Sequence, residues 1–218
     1  MTNRFDLVIF DCDGVLVDSE PIANRVLCER LGLIGFSLAP EEVMSRFVGR
    51  TRGGVLGLVA ELYGRELPKG FAEQWDIALF EALREEVEAI DGIVEVLRGL
   101  RLPYCVASNG TPDRLRLTLD ASGLLPLFEG RIFCAADVAH PKPAPDLFLH
   151  AASVMGAQPS RTAVIEDTPT GARAGRAAGM SVFGYAGAGP HSRGPLEREG
   201  ATVFGMMRDL PSLLGVNA

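Results

Sequence analysis

The sequence predicts an α/β fold: a doubly wound parallel sheet with a block of helices inserted after its first strand. Three observations predict it. Short, continuous apolar runs recur along the chain and read as strands buried on both faces. A helix-like segment follows most of them, with Pro or Asp near its start and Gly just past its end. One long interval, about residues 17–91, carries helical patterns and no strand.

The first strand is Leu7–Phe10, and it runs straight into Asp11-Cys12-Asp13-Gly14-Val15-Leu16. The period-2 pleat places Asp11 and Asp13 on the same side of the chain as it leaves the sheet. Two neighbouring acids repel each other, so a metal ion or a retained proton must compensate. The pair suits phosphoryl chemistry, in which one carboxylate attacks and its neighbour moves protons.

Beyond the pair, Pro21–Leu31, Pro40–Phe47, Gly54–Tyr63 and Phe71–Ala89 read as helices. The last carries Trp75, Leu79, Phe80, Leu83 and Val87 near helical spacing. This much helix exceeds a single crossover. It predicts a helical cap over residues 17–91 and a core built from 1–16 and 92–218. An insertion there sits above the C-terminal edge of the sheet, where open α/β folds bind ligands, and suits a lid.

The core then resumes. Strands are expected at Tyr104–Ala107, Arg131–Cys134, Ala163–Ile165 and Ser181–Tyr185. Helices are expected at Pro112–Ser122, Asp146–Met155 and Pro169–Ala178, ending near Gly123, Gly156 and Gly179. The Gly-rich run Gly184–Pro190 has the wrong spacing for a dinucleotide fingerprint and reads as a loop.

Composition narrows the function. A net charge of −7 and the lack of a basic stripe argue against a nucleic-acid partner. No run reaches the roughly 18 apolar residues of a membrane span, and no secretory leader is visible, so a cytoplasmic protein is expected. Cys12, Cys28, Cys105 and Cys134 lack metal-type spacing and read as free thiols. The oligomeric state is not legible beyond a leaning towards the monomer.

Four polar groups fall at or beyond the C-terminal ends of predicted strands: Asp11 with Asp13, Ser108-Asn109-Gly110, Lys142 within Pro141–Asp146, and Glu166-Asp167-Thr168-Pro169. Each alone is an ordinary turn or cap; in this order on one sheet edge they form a phosphoryl-transfer constellation. Several carboxylates without a His cluster suit a hard cation, Mg²⁺, on Asp11, Asp167 and Glu166. Lys142 and the Ser108 hydroxyl offer charge and a donor to phosphoryl oxygens. A calcium loop does not fit: its Gly belongs at the sixth place, and Gly14 is fourth counting from Asp11. The Gly-x-Ser-x-Gly elbow of serine hydrolases is absent.

These motifs resemble the haloacid-dehalogenase-like superfamily over essentially the full chain. The matching pieces are Asp11–Glu20, Ala107–Gly110, Lys142–Asp146 and Ile165–Gly171. The resemblance implies a Rossmann-like core with an inserted helical cap. It implies that Asp11 is a nucleophile forming an aspartyl-phosphate. It implies that Asp13 protonates the leaving alcohol, activates water and offers its backbone carbonyl to Mg²⁺. Ser108 and Lys142 would hold the phosphoryl group with Asn109 nearby, and Asp167 and Glu166 would complete the metal site. Dehalogenases and phosphonatases lack the second acid, so Asp13 favours phosphate esters.

Within that class the chain resembles β-phosphoglucomutases and small sugar-phosphate phosphatases, with 6-phosphogluconate-type enzymes the better match. Phe47-Val48-Gly49, Glu88–Gly92 and Pro190-His191 carry that match. A mutase is the alternative, and a phosphoglycolate phosphatase a more distant one. Against a mutase, Ala23 stands where mutases carry a His, and Phe71–Ala89 has no Lys. The expected function is Mg²⁺-dependent hydrolysis of a small phosphorylated metabolite, a sugar or sugar-acid phosphate. The loop Gly49-Arg50-Thr51-Arg52 is expected to grip the far end of the substrate, with Arg50 and Arg52 meeting an anionic group.

Overall fold

The computed structural model describes residues 4–38, 40–47, 52–187 and 190–215. Strand β1 (Leu7–Phe10) leads to four helices: α1 (Glu20–Leu33), α2 (Pro40–Phe47), α3 (Arg52–Tyr63) and α4 (Phe71–Glu86). The chain continues as α5 (Ile93–Gly99), β2 (Tyr104–Ser108), α6 (Pro112–Ala121), α7 (Leu125–Phe128) and β3 (Ile132–Cys134). It ends as α8 (Asp146–Val154), β4 (Thr162–Glu166), α9 (Pro169–Ala177), β5 (Ser181–Tyr185), α10 (Pro190–Arg198), β6 (Thr202–Phe204) and α11 (Leu210–Leu214).

The strands form one sheet in the order β3-β2-β1-β4-β5-β6. Every neighbouring pair is parallel. This is the doubly wound order, whose connections reverse direction at β1. In register, Ile9 stands between Cys105 and Val164. The pleat divides β1 between two layers: Val8 and Phe10 join one buried cluster with Val96 and Leu119, while Leu7 and Ile9 join the other with Phe148 and Ala172. Strands covered on both faces explain the continuous apolar runs of the sequence.

The expected strands and helices are present with ends shifted by a few residues. α6 and α9 start where Thr111 and Thr168 accept hydrogen bonds from the backbones of Arg114 and Gly171, at 3.4 and 3.1 Å. Such caps supply a partner for an otherwise orphaned first-turn amide. α4 stops at Glu86, three residues early, because Val87 turns extended. The next residues then run beside the outgoing chain. Val17 and Ala89 form an antiparallel bridge, Asp18 N donates to Glu88 O at 3.0 Å, and Ile90 N donates to Leu16 O at 2.9 Å. The path into the four helices and the path out are therefore laced together. Val26, Leu27, Val59, Trp75, Leu79 and Leu83 are buried among these helices, in one contiguous cluster with the upper layer of the core.

The run Gly184–Pro190 is bounded by regular structure: Gly184 and Tyr185 complete β5, as the expected strand Ser181–Tyr185 has it, and Pro190 opens α10, which the sequence did not place. A side chain at Gly184 would meet Leu196 of α10 at 3.2 Å, so this glycine marks a close strand–helix approach rather than a turn. β6 went unseen because three residues, only one of them buried, leave no readable pattern. All four cysteines are free thiols. Among the described residues, no helix is long and apolar enough to cross a membrane.

Candidate active site

The strand ends converge as their order in the sheet requires. Asp11 leaves β1 with its amide donating to Ile165 O at 2.9 Å, which ties β1 to the β4 end carrying Glu166 and Asp167. Ser108 closes β2, and its Oγ accepts from Gly110 N at 3.1 Å. Asn109 reaches across to the loop after β3. Its Nδ2 donates to Lys142 O and its Oδ1 accepts from Lys142 N, both at 3.0 Å. Asn109 thus uses its amide to fix the Lys142 backbone.

Lys142 is the hub. It is 6% exposed, and its Nζ donates to Asp11 Oδ1 at 2.5 Å and to Glu166 Oε1 at 2.6 Å. It also lies 4.5 Å from the Phe148 ring centroid. Burial pulls its ammonium towards losing the proton, but Asp11 and Glu166 outweigh burial and hold it above the ordinary lysine value. A buried charge persists only with such partners. Glu166 Oε2 accepts in turn from Thr168 N and Thr168 Oγ, at 3.2 and 2.9 Å.

The acids outnumber that one cation. Carboxylate oxygens of Asp11, Glu166 and Asp167 all lie within 4.8 Å of one another. Burial pushes Asp11 up to about 8, with Lys142 opposing and Glu166 and Asp13 adding to it. Burial also raises Asp167, reinforced by Glu166, Asp11 and Glu20. Asp167 Oδ1 is buried without a hydrogen-bond partner. An orphaned carboxylate oxygen beside two further carboxylates fits a hard divalent cation.

Two glycines make room for this cluster. A Cβ on Gly14, whose φ is +76°, would lie 2.1 Å from Asp167 Oδ2. A Cβ on Gly171 would lie 1.7 Å from Glu166 Oε1. Both stand in the motifs noted in the sequence, but the reason they must be glycine appears only in three dimensions.

Asp13 is held differently. Arg114 Nη2, from the first turn of α6, donates to its Oδ1 at 2.9 Å. Ser19 Oγ donates to that same oxygen. The Asp pair is therefore divided: Lys142 holds Asp11, while Ser19 and Arg114 hold Asp13. Sequence reasoning gave Arg114 and Ser19 no role. Ser19 stood inside the quoted Asp11–Glu20 motif. Arg114 left only a weak signal, three residues past the Thr111 cap and so facing the sheet edge. Burial beside Asp13 and Asp18 raises the neighbouring Glu20 carboxyl to about 7, against Arg114.

A cavity of about 390 Å³ opens over these groups. This is the size of a small-metabolite site. Asp11, Asp13, Ser108, Asn109, Lys142 and Glu166 line one end; α1, α3 and α4 line the other with Leu27, Val55, Trp75, Asp76 and Leu79. Arg52 lines it too, but is engaged: its Nε donates to both Asp76 oxygens at 2.9 Å and its Nη2 to Oδ2 at 2.6 Å. Val48, Gly49, Arg50 and Thr51 lie outside the described residues, as does the His191 side chain. His140 is exposed and pairs with Asp146 at 3.0 Å, and His150 packs edge-on to Phe133.

Known proteins resemble this chain over most of its length. Residues 5–179 match the haloacid dehalogenase-like hydrolase family. The chain is 34% identical to the 6-phosphogluconate phosphatase of Escherichia coli over 212 residues, 97% of this chain and 95% of that one. It is 32% identical to the fructose-1-phosphate phosphatase of the same organism, over 84% of this chain and 97% of that one. A crystal structure of a hydrolase from Deinococcus radiodurans, with bound phosphate and sodium, superposes with a TM-score of 0.83 at 36% identity, covering 98% of this chain and 96% of that chain. The chain belongs to the haloacid dehalogenase-like hydrolase family.

Proposed function

We propose that this phosphoric monoester hydrolase cleaves small phosphorylated sugars or sugar acids through an aspartyl-phosphate on Asp11. The observation that carries the reading is the division of the acid pair: Asp11 touches the buried ammonium, and Asp13 is steered by its own two donors. A carboxylate beside Lys142 is placed to attack phosphorus, because the ammonium also attracts the phosphoryl oxygens. The Asp11 oxygen forms the new P–O bond as the bond to the substrate oxygen breaks, and protonated Asp13 gives its proton to the departing alcohol. Asp13, now ionised, takes a proton from water. That water attacks phosphorus, releasing inorganic phosphate and freeing Asp11. Ser108 and Lys142 bind the phosphoryl oxygens in both steps, and Asn109 keeps Lys142 in place.

Asp11, Asp167 and Glu166, with the Asp13 carbonyl, would hold a divalent cation, for which Mg²⁺ suits the oxygen donors. When bound, it neutralises the phosphate dianion beside an anionic nucleophile. We read residues 17–91 as a cap and the remainder as the catalytic core; the bridge between Val17 and Ala89 supports a shared hinge. The mutase reading is less favoured, because Ala23 lines the cavity and offers no proton-transfer group.

Phosphate release from a metabolite panel, with Mg²⁺ and then with EDTA, tests the reading. Turnover should require the cation and vanish in Asp11→Asn. Turnover that survives Asp11→Asn would sink the nucleophile assignment. Conversion of β-glucose 1-phosphate to its 6-phosphate with little free phosphate would favour a mutase.

A further inference from the structure

We infer that Arg114, which lies outside the motifs carrying the chemistry, is a positioning residue for the second half of the reaction. Within the function proposed above, on which this inference rests, it keeps Asp13 aimed while water attacks the aspartyl-phosphate.

The two halves place different demands on Asp13. In the first, the substrate oxygen lies beside the acid and takes its proton as the P–O bond breaks. Once the alcohol has left, no part of the substrate remains to orient the carboxylate. Water takes its place. Asp13 accepts a proton from that water as the water oxygen bonds to phosphorus and the bond to Asp11 breaks, which frees Asp11 as its carboxylate and leaves Asp13 protonated for the next cycle. A small, mobile nucleophile makes this step the more sensitive to where the base points.

The protein supplies that orientation from α6. Arg114 Nη2 donates to Asp13 Oδ1 at 2.9 Å, and Ser19 Oγ donates to the same oxygen. Two donors on one oxygen hold the carboxylate and leave Oδ2 for the proton. The first two turns of α6 are seated for this task. Thr111 Oγ1 accepts from Arg114 N at 3.4 Å. One turn on, Thr118 Oγ1 donates to Arg114 O at 3.1 Å and stands 3.8 Å from Cys12 Sγ. Arg114 and Thr118, four residues apart, thus share one helix face and meet Asp13 and Cys12 in turn.

The guanidinium itself argues against a merely structural role. Among the described residues its only hydrogen-bond partner is Asp13, and its Nε is buried with no partner. An arginine kept for structure fills its fork of donors when it is buried. Arg114 instead leaves Nε unpaired and places Nη2 on the acid. It also lines the cavity, so a direct contact with substrate is the competing role that the test separates.

The test uses p-nitrophenyl phosphate with Mg²⁺ in single-turnover runs. Its leaving group needs no proton, so only the second half depends on Asp13. Release of p-nitrophenol reports phosphorylation of Asp11, and release of inorganic phosphate reports hydrolysis of the adduct. Arg114→Met keeps the apolar stem and removes the guanidinium. It should leave p-nitrophenol release within about twofold of wild type and slow phosphate release by about tenfold or more. Arg114→Lys should restore part of that rate. In an Asp13→Asn background Arg114→Met should change nothing further, because a residue that acts through Asp13 loses its effect with the acid. Circular dichroism checks the fold of each variant, and Arg114→Gln replaces a Met variant that does not fold. Unchanged phosphate release in the folded variant overturns the inference. So does p-nitrophenol release slowed by the same factor, or a full effect in the Asp13→Asn background; either makes Arg114 a contact of the phosphoryl group or substrate. If hydrolysis survives Asp11→Asn, the function itself is wrong. If hydrolysis is lost in Asp11→Asn while phosphate release ignores Arg114, only the role of Arg114 is wrong.

Discussion

Arg114 Nη2 and Asp13 Oδ1 stand 2.9 Å apart, although 101 residues separate them in sequence. Ser19 donates to the same oxygen, so both donors leave Oδ2 to the reaction. In the proposed mechanism, proton transfer needs that oxygen within hydrogen-bond reach of the leaving group, so Arg114 would act by aiming Asp13. Arg114→Ala should lower kcat by about tenfold or more with a smaller change in KM. Arg114→Lys should recover part of the loss. Steady-state kinetics on an alkyl phosphate checks this, and a change confined to KM would instead make Arg114 a substrate contact.

Gly171 reverses the usual rule for helix glycines. An Ala in a helix interior ordinarily gains about 1 kcal/mol over Gly. Here the new Cβ falls on the Glu166 carboxylate, 1.7 Å from Oε1. Gly171→Ala should therefore lower the melting temperature and activity together. Gly57, in α3, has nothing within 4 Å of its added Cβ, so Gly57→Ala should raise stability by roughly 0.5–1 kcal/mol. Thermal melts of the two variants should move in opposite directions.

Lys142→Ala should be among the most destabilising single changes in the core. It leaves Asp11 and Glu166 buried without their cation, at 8% and 1% exposure. Breaking a buried pair in this way costs about 3–5 kcal/mol. Denaturant unfolding without added metal measures it, and a loss near zero would mean that Lys142 is not the partner of both acids in solution.

The acid cluster sets a pH dependence. In the metal-free fold, burial raises Asp11 from 3.8 to about 8. A raised folded-state value means the stability contribution is full below the unfolded value and is lost as pH rises through the folded one. EDTA-treated protein should therefore lose stability between about pH 4 and pH 8 through this group. Cation binding requires the ionised carboxylates, so Mg²⁺ should raise the melting temperature more at the upper end of that window. Equal Mg²⁺ shifts at both ends would argue against a carboxylate site.

Much of this was legible in the sequence because it rests on local pattern. The buried strands show as unbroken apolar runs, and their C-terminal residues, Asp11, Ser108 and Glu166, follow directly. The four helices after β1 show through apolar spacing such as that of Trp75, Leu79 and Leu83. What was not legible depends on pairs distant in sequence. Arg114 reaches Asp13 only because β2 lies beside β1 in the sheet. Asp76 meets Arg52 only because α3 and α4 share the cavity wall, so an arginine that reads as free in sequence is engaged in the fold. Asn109 read as a phosphate neighbour, whereas its amide is committed to the Lys142 backbone.

The central claim is that Asp11 carries the phosphoryl group and Asp13 moves the protons. p-Nitrophenolate leaves without needing a proton, so an Asp13→Asn enzyme should still pass phosphate to Asp11 but release it slowly. The decisive measurement is rapid-quench mass spectrometry of Asp13→Asn mixed with Mg²⁺ and p-nitrophenyl phosphate. The account predicts a burst of p-nitrophenol equal to the enzyme present and one phosphoryl group mapped to the peptide containing Asp11. A burst with the phosphoryl group on another residue, or steady turnover with no covalent adduct, would contradict it.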